Sequence, residues 1–135
     1  MPVVVVSGYR SYDYQVNLHD YYVNLYGSET AVLYSMRPGH SEHQTGLALD
    51  LGNADGTCAV DDICFASTPA GEWAEANATD YGFIVRYPEG QMATTGINYE
   101  AWHLRYVGVE TATIMAGEGI PTLEDFMGLP PAPTY

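Results

Sequence analysis

Ser41-Glu42-His43-Gln44-Thr45-Gly46-Leu47-Ala48-Leu49-Asp50 is the stretch on which the reading of this chain turns. From Leu47 to Leu51 the residues alternate as in a strand. Leu47, Leu49 and Leu51 are expected on one face, and Ala48 and Asp50 on the other. Asp50, on the polar face of this strand, follows His43 by seven residues. From spacing alone, His-x6-Asp has no helical logic, and Asp50 could equally cap a turn.

Outward from this run, Val3–Tyr9 is β-branched and reads as a strand. Ser11–Tyr26 reads as a helix with Gln15, Leu18, Tyr22 and Leu25 near one face, stopped by Gly27. Ser28 is expected to cap a second helix, Glu29–Met36, which Pro38 cannot continue. Beyond Asp50, residues Asn53–Ile63 read as a loop. Thr68-Pro69 opens a helix to Ala78, and Gly82–Tyr87 and Ala101–Val107 read as strands. Glu110–Ala116 is expected as a helix ending at Gly117, with a further helical turn over Thr122–Met127. Strands and helices do not alternate regularly, which predicts an α+β fold, a single domain with a small antiparallel sheet flanked by helices. The domain is expected over residues 1–128, with residues 129–135 as a Pro-rich tail.

Composition narrows the functions. Among 135 residues there are 17 acids and 4 bases, a formal charge of -13. Such a field repels phosphates and excludes nucleic acid as a partner. No apolar run nears the ~20 residues of a membrane span, so no membrane insertion is expected. Val3–Val6 is too short for a signal-peptide core and follows no basic residue; an export signal, and further residues upstream, are expected outside this sequence. The chain has no lysine, so Arg10, Arg37, Arg86 and Arg105 are its cations. Cys58 and Cys64 sit close together in the Asp- and Gly-containing loop. They are either a disulfide, which would suit an exported protein, or two thiols.

Two further residues complete a chemical set. His103 lies in an expected strand, and Glu100 precedes it by three. Catalytic zinc takes three nitrogen or oxygen ligands and keeps one position open. Two histidines and one carboxylate meet that need, and a nearby glutamate can serve as base. His40 could rival His43. Trp102 and Tyr106 share the face opposite His103 and are expected in the core, while Arg86 and Arg105 are expected to face outward and pair with acids. In a regular strand, residues three apart point to opposite faces, so Glu100 must sit just before the strand or on an irregularity.

The run 41–50 resembles the Ser-x-His-x-x-Gly-x-Ala-x-Asp signature of VanY-type D-alanyl-D-alanine carboxypeptidases. Ser7-Gly8-Tyr9-Arg10-Ser11 with Gln15, Tyr81-Gly82-Phe83-Ile84-Val85-Arg86-Tyr87-Pro88, and Glu100-Ala101-Trp102-His103-Leu104-Arg105-Tyr106-Val107-Gly108 resemble further blocks of that family in the same order. The resemblance implies a fold shared with the Hedgehog signalling domain. It implies Zn²⁺ held by His43, Asp50 and His103, Glu100 as general base, and Arg10 as the arginine that binds substrate and stabilises the oxyanion. Gln15 and Ser41 match substrate-contacting positions. The implied reaction is hydrolysis before a C-terminal D-alanine of a peptidoglycan stem peptide, by an extracytoplasmic enzyme expected to be a monomer. L,D-carboxypeptidase, D,D-dipeptidase and endopeptidase activities remain open on this fold, as does a non-catalytic wall-binding module. The family commonly has proline where this chain has Ala101, so the bend between Glu100 and His103 needs another cause.

Overall fold

The computed structural model describes residues 2–32, 34–58 and 63–132. Residues 59–62 of the expected loop, Leu33 of the second expected helix and residues 133–135 of the expected tail lie outside it. The chain divides into two compact units, residues 8–48 and residues 1–7 with 49–135.

The larger unit is built on a four-stranded sheet in the order β1-β2-β4-β3, with β1 Val3–Ser7, β2 Ala48–Asn53, β3 Phe83–Tyr87 and β4 Glu100–Tyr106. β1 pairs antiparallel with β2, and β3 with β4. Helices α3 (Pro69–Asn77), α4 (Met92–Thr95), α5 (Val109–Glu118) and α6 (Leu123–Met127) accompany it. Thr68 caps α3 as its sequence predicts, its hydroxyl accepting from the Gly71 amide at 3.1 Å. Gly71 must be glycine, because a Cβ there would meet the Phe65 carbonyl oxygen at 2.0 Å. The core gathers Leu51, Phe65, Ala70, Ala74, Ala78, Ala101, Trp102 and Leu104. Burial of this apolar surface is the main stabilising contribution, on the order of 25 cal/mol per Å².

The pairings contain two irregularities. Val5 pairs with Leu51 but Ser7 with Asp50, so Val6 is an extra residue on β1, a β-bulge. Gly52 makes room for it, since a Cβ there would lie 2.8 Å from Val6 Cγ1. On the other side, Val85 pairs with Leu104 but Tyr87 with Glu100. Two residues of β3 are thus spanned by four of β4, which displaces the run Ala101–His103. On the edge strand β1, Val4, Val5 and Val6 are all exposed.

The smaller unit contains α1 (Tyr12–Tyr26), α2 (Ser28–Ala31) and a 3-10 turn at Glu42–Thr45. Ser11 caps α1, accepting from Tyr14 N at 3.1 Å. Gln15 is fully buried, whereas Leu25 is exposed. With the inner stripe centred on Gln15 and Tyr22, Leu25 falls at its margin and Tyr26 nearer its centre. The Tyr26 ring packs on Tyr34, 4.9 Å between centroids.

Several expectations are corrected. α2 starts at Ser28 with Gly27 as its cap and stops at Ala31, short of Met36. The carbonyls beyond it are captured by side chains of α1: His19 Nδ1 lies 3.0 Å from Ser35 O, and Gln15 Nε2 donates to Met36 O at 2.7 Å. β2 begins at Ala48 and runs to Asn53, leaving Leu47 outside it and exposed. α5 passes through Gly117 and ends at Gly119, whose φ of 65° supplies the left-handed cap. Tyr106 is 43% exposed at the strand end, edge-on to Phe83, while Trp102 is in the core. Arg86 points inward, forming a two-pronged ion pair with Glu124 at 2.9 and 2.6 Å. The short helix α4 and the 3-10 turns at Ile63–Ser67 and Ala78–Tyr81 were not anticipated. Cys58 and Cys64 are joined as a disulfide.

Candidate functional site

In the larger unit, three of the predicted residues meet at one atom. His103 Nδ1 lies 3.0 Å from Asp50 Oδ1 and 3.9 Å from Glu100 Oε2. Asp50 reaches this point from β2, immediately beyond the Val6 bulge; His103 and Glu100 reach it from β4. The four-for-two irregularity explains how residues three apart in one strand can share a side. Ala101 therefore sits within a pairing defect, and the bend needs no proline. Asp50 and His103 are buried, while the Glu100 side chain keeps 25% of its surface open. A carboxylate with that access can exchange protons with solvent and with a bound molecule.

The His103 ring is held from a second side. Tyr87 stacks on it with centroids 5.0 Å apart and planes 28° from parallel. The Arg86 guanidinium in turn lies 5.0 Å from the centre of the Tyr87 ring, and Arg86 is anchored by Glu124 of α6. Neither Tyr87 nor Glu124 was singled out from the sequence. The Arg86-Tyr87-Pro88 block was the available signal for Tyr87, whereas Glu124 lies 38 residues from its partner with no local pattern to mark it. A groove of about 690 Å³ opens beside Val85, Tyr99 and Met115, and none of Asp50, Glu100 and His103 lines it. Burial, and then the Glu75 and Glu89 carboxylates, raise the Tyr99 phenol above its ordinary pKa.

In the smaller unit, His43 occupies the 3-10 turn, which closes on Gly46 in the left-handed conformation. Thr45 and Gln44 are consumed in shaping it: Thr45 Oγ1 donates to Glu42 O at 2.6 Å, and Gln44 Oε1 accepts from Gly39 N at 2.8 Å. His43 is 3% exposed, and its Nδ1 lies 2.7 Å from the Gly8 carbonyl oxygen. A carbonyl can only accept, so Nδ1 carries the hydrogen and Nε2 keeps its lone pair for a ligand. The Arg10 amide donates to the His43 carbonyl at 3.1 Å, tying the two residues by main chain. Arg10 Nη1 donates to Gln15 Oε1 at 3.3 Å, and Gln15 Nε2 donates to Ser35 Oγ at 3.0 Å as well as to Met36 O. Ser41 is buried ahead of the turn, and its hydroxyl makes no cap hydrogen bond. His40 lies exposed.

His43, Asp50 and His103 are all buried, and each offers one ligand atom of a kind that zinc accepts. Asp50 Oδ1 and His103 Nδ1 stand at hydrogen-bond distance, 3.0 Å; two atoms each bound ~2.1 Å from a tetrahedral zinc lie about 3.4 Å apart, so a small separation of the pair would admit the ion.

Comparison with known proteins gives an independent line. The family model described as VanY, D-alanyl-D-alanine carboxypeptidase, matches residues 1–109. The chain is 43% identical over 124 residues to the putative carboxypeptidase YodJ of Bacillus subtilis, covering 92% of this chain and 45% of that protein. It thus spans under half the length of that relative. Among solved structures, the LdcB LD-carboxypeptidase superposes with a TM-score of 0.81 at 42% identity, covering 93% of this chain and 58% of that one. A mutant of the vancomycin-resistance D,D-pentapeptidase VanY, in complex with Zn(II), superposes with a TM-score of 0.77 at 32% identity, covering 93% and 71%.

Proposed function

Since this chain belongs to the VanY family of D-alanyl-D-alanine carboxypeptidases, we propose that it is a zinc metallopeptidase of the bacterial cell envelope. It hydrolyses the bond before a C-terminal D-alanine of a peptidoglycan stem peptide and acts outside the cytoplasm. His43, Asp50 and His103 hold the ion through His43 Nε2, an Asp50 carboxylate oxygen and His103 Nδ1. The observation that carries the reading is the placement of the Glu100 carboxylate 3.9 Å from the same His103 nitrogen that faces Asp50. A purely structural metal site has no use for a partly open carboxylate at that position.

Zinc, when bound there, supplies a Lewis acid and lowers the pKa of a water ligand toward ~7. Glu100 takes the proton from the attacking water and delivers it to the nitrogen of the departing D-alanine. The Arg10 guanidinium, planar and permanently charged, is assigned to stabilise the oxygen that gains negative charge. The Ser41 hydroxyl, not spent on capping, is available to the substrate's terminal carboxylate. Tyr87 keeps the His103 ring from turning, and Gly8 fixes the tautomer of His43.

A second reading, L,D- in place of D,D-specificity, is supported by the greater similarity to the LdcB enzyme than to the VanY pentapeptidase mutant. The test is to incubate the zinc-loaded protein with stem tetrapeptide and pentapeptide and to weigh the products by mass spectrometry. Loss of one D-alanine from the pentapeptide supports the D,D reading, and loss from the tetrapeptide alone supports the L,D reading. No release from either peptide overturns the carboxypeptidase assignment.

A further inference from the structure

We infer that Gln15 is a positioning residue that aims Arg10, and not a contact for the substrate's carboxylate. The inference rests on the reading of Arg10 given above. Gln15 is 0% exposed. The orientation of its amide is fixed by chemistry. The Met36 carbonyl only accepts, so the group 2.7 Å from it must be the NH₂ end. That nitrogen has two hydrogens, and both are committed, one to Met36 O and one to Ser35 Oγ. A carboxylate needs donors, and Gln15 has none left to give. Its remaining oxygen faces Arg10 Nη1 at 3.3 Å, the polarity a guanidinium requires.

His19 Nδ1 and Gln15 Nε2, both from α1, hold Ser35 and Met36. The segment after α2 acts as a fixed backstop, Gln15 spans from it to Arg10, and the Arg10 amide is tied to the His43 carbonyl. The guanidinium is thus fixed at both its root and its tip. A charge placed in advance of the reaction stabilises a developing oxyanion more than one that must be ordered during it.

The experiment is a double-mutant cycle on the zinc-loaded protein with Gln15→Met, Arg10→Ala and the pair, reading kcat and KM on the stem peptide that the wild type cleaves. The expected result is a fall in kcat of about 10- to 100-fold for Gln15→Met, the usual size for a hydrogen bond to a charged group. KM and zinc content should stay unchanged, and Arg10→Ala/Gln15→Met should be no slower than Arg10→Ala alone. A raised KM with kcat retained, or losses that multiply in the pair, would overturn the inference in favour of direct contact. Full activity of Arg10→Ala would instead remove the role of Arg10, and its brace with it. If Gln15→Met is too unstable to assay, Ser35→Ala loosens the same amide without touching it. A several-fold fall in kcat that vanishes in the Arg10→Ala background supports the brace, and no fall overturns it.

Discussion

Glu100 and His103 show how much a residue's type tells and how little it says about direction. Spacing put a carboxylate three positions before a histidine, and regular strand geometry would have sent the two to opposite faces. In the structure both approach one point, 3.9 Å apart. Glu100→Gln removes the proton acceptor while keeping the shape. Zinc content by elemental analysis should match wild type, while kcat falls about 10²- to 10⁴-fold. His103→Ala removes a ligand, so both zinc and activity should be lost. Retained activity in either variant would refute the assignments. The residues proposed for the site could be picked out because His43, Asp50, Glu100 and Arg10 stand in ordered blocks with a recognisable chemistry. The partners Gly8 O and Tyr87 were not, since a carbonyl leaves no mark in a sequence and a tyrosine among 12 attracts no notice.

At the level of elements, most strands and helices could be read from periodicity and caps, with Thr68 and Gly27 marking boundaries where expected. The departures have local causes. The β4 irregularity is a property of two strands, β3 and β4, and neither strand's sequence contains it alone. Beyond α2, the Ser35 and Met36 carbonyls are held by His19 and Gln15 of α1, a pairing no local pattern announces. Arg86 looked like an outward charge because its buried partner lies on α6. That pair makes a sharp test: Glu124→Leu should leave the Arg86 charge buried without its carboxylate and cost about 3–5 kcal/mol, read by urea denaturation. The double replacement Arg86→Met/Glu124→Leu should recover most of that loss. If Glu124→Leu is as stable as wild type, the latch contributes nothing to holding β3 and the Tyr87 ring.

For the molecule as a whole, zinc is expected to be part of the stability as well as the chemistry. An ion that binds only the native state stabilises it by about 4 kcal/mol at a thousandfold excess over Kd. Chelation should therefore lower Tm and abolish hydrolysis together, and added zinc should restore both in wild type but neither in His103→Ala. A melting curve indifferent to chelator and metal would remove zinc from the account. The Cys58–Cys64 bond closes a small loop and contributes roughly 2 kcal/mol in the chain-entropy model. One further trait follows from the outer strand. Val4, Val5 and Val6 lie exposed on an edge strand, the kind of rim onto which a second copy can zip. The strand itself has no lysine or proline, and like-charge repulsion between molecules at -13 acts against such zipping. The acidity that seems incidental to catalysis thus opposes such pairing, and the repulsion fades as the pH falls toward the isoelectric point of about 4.2.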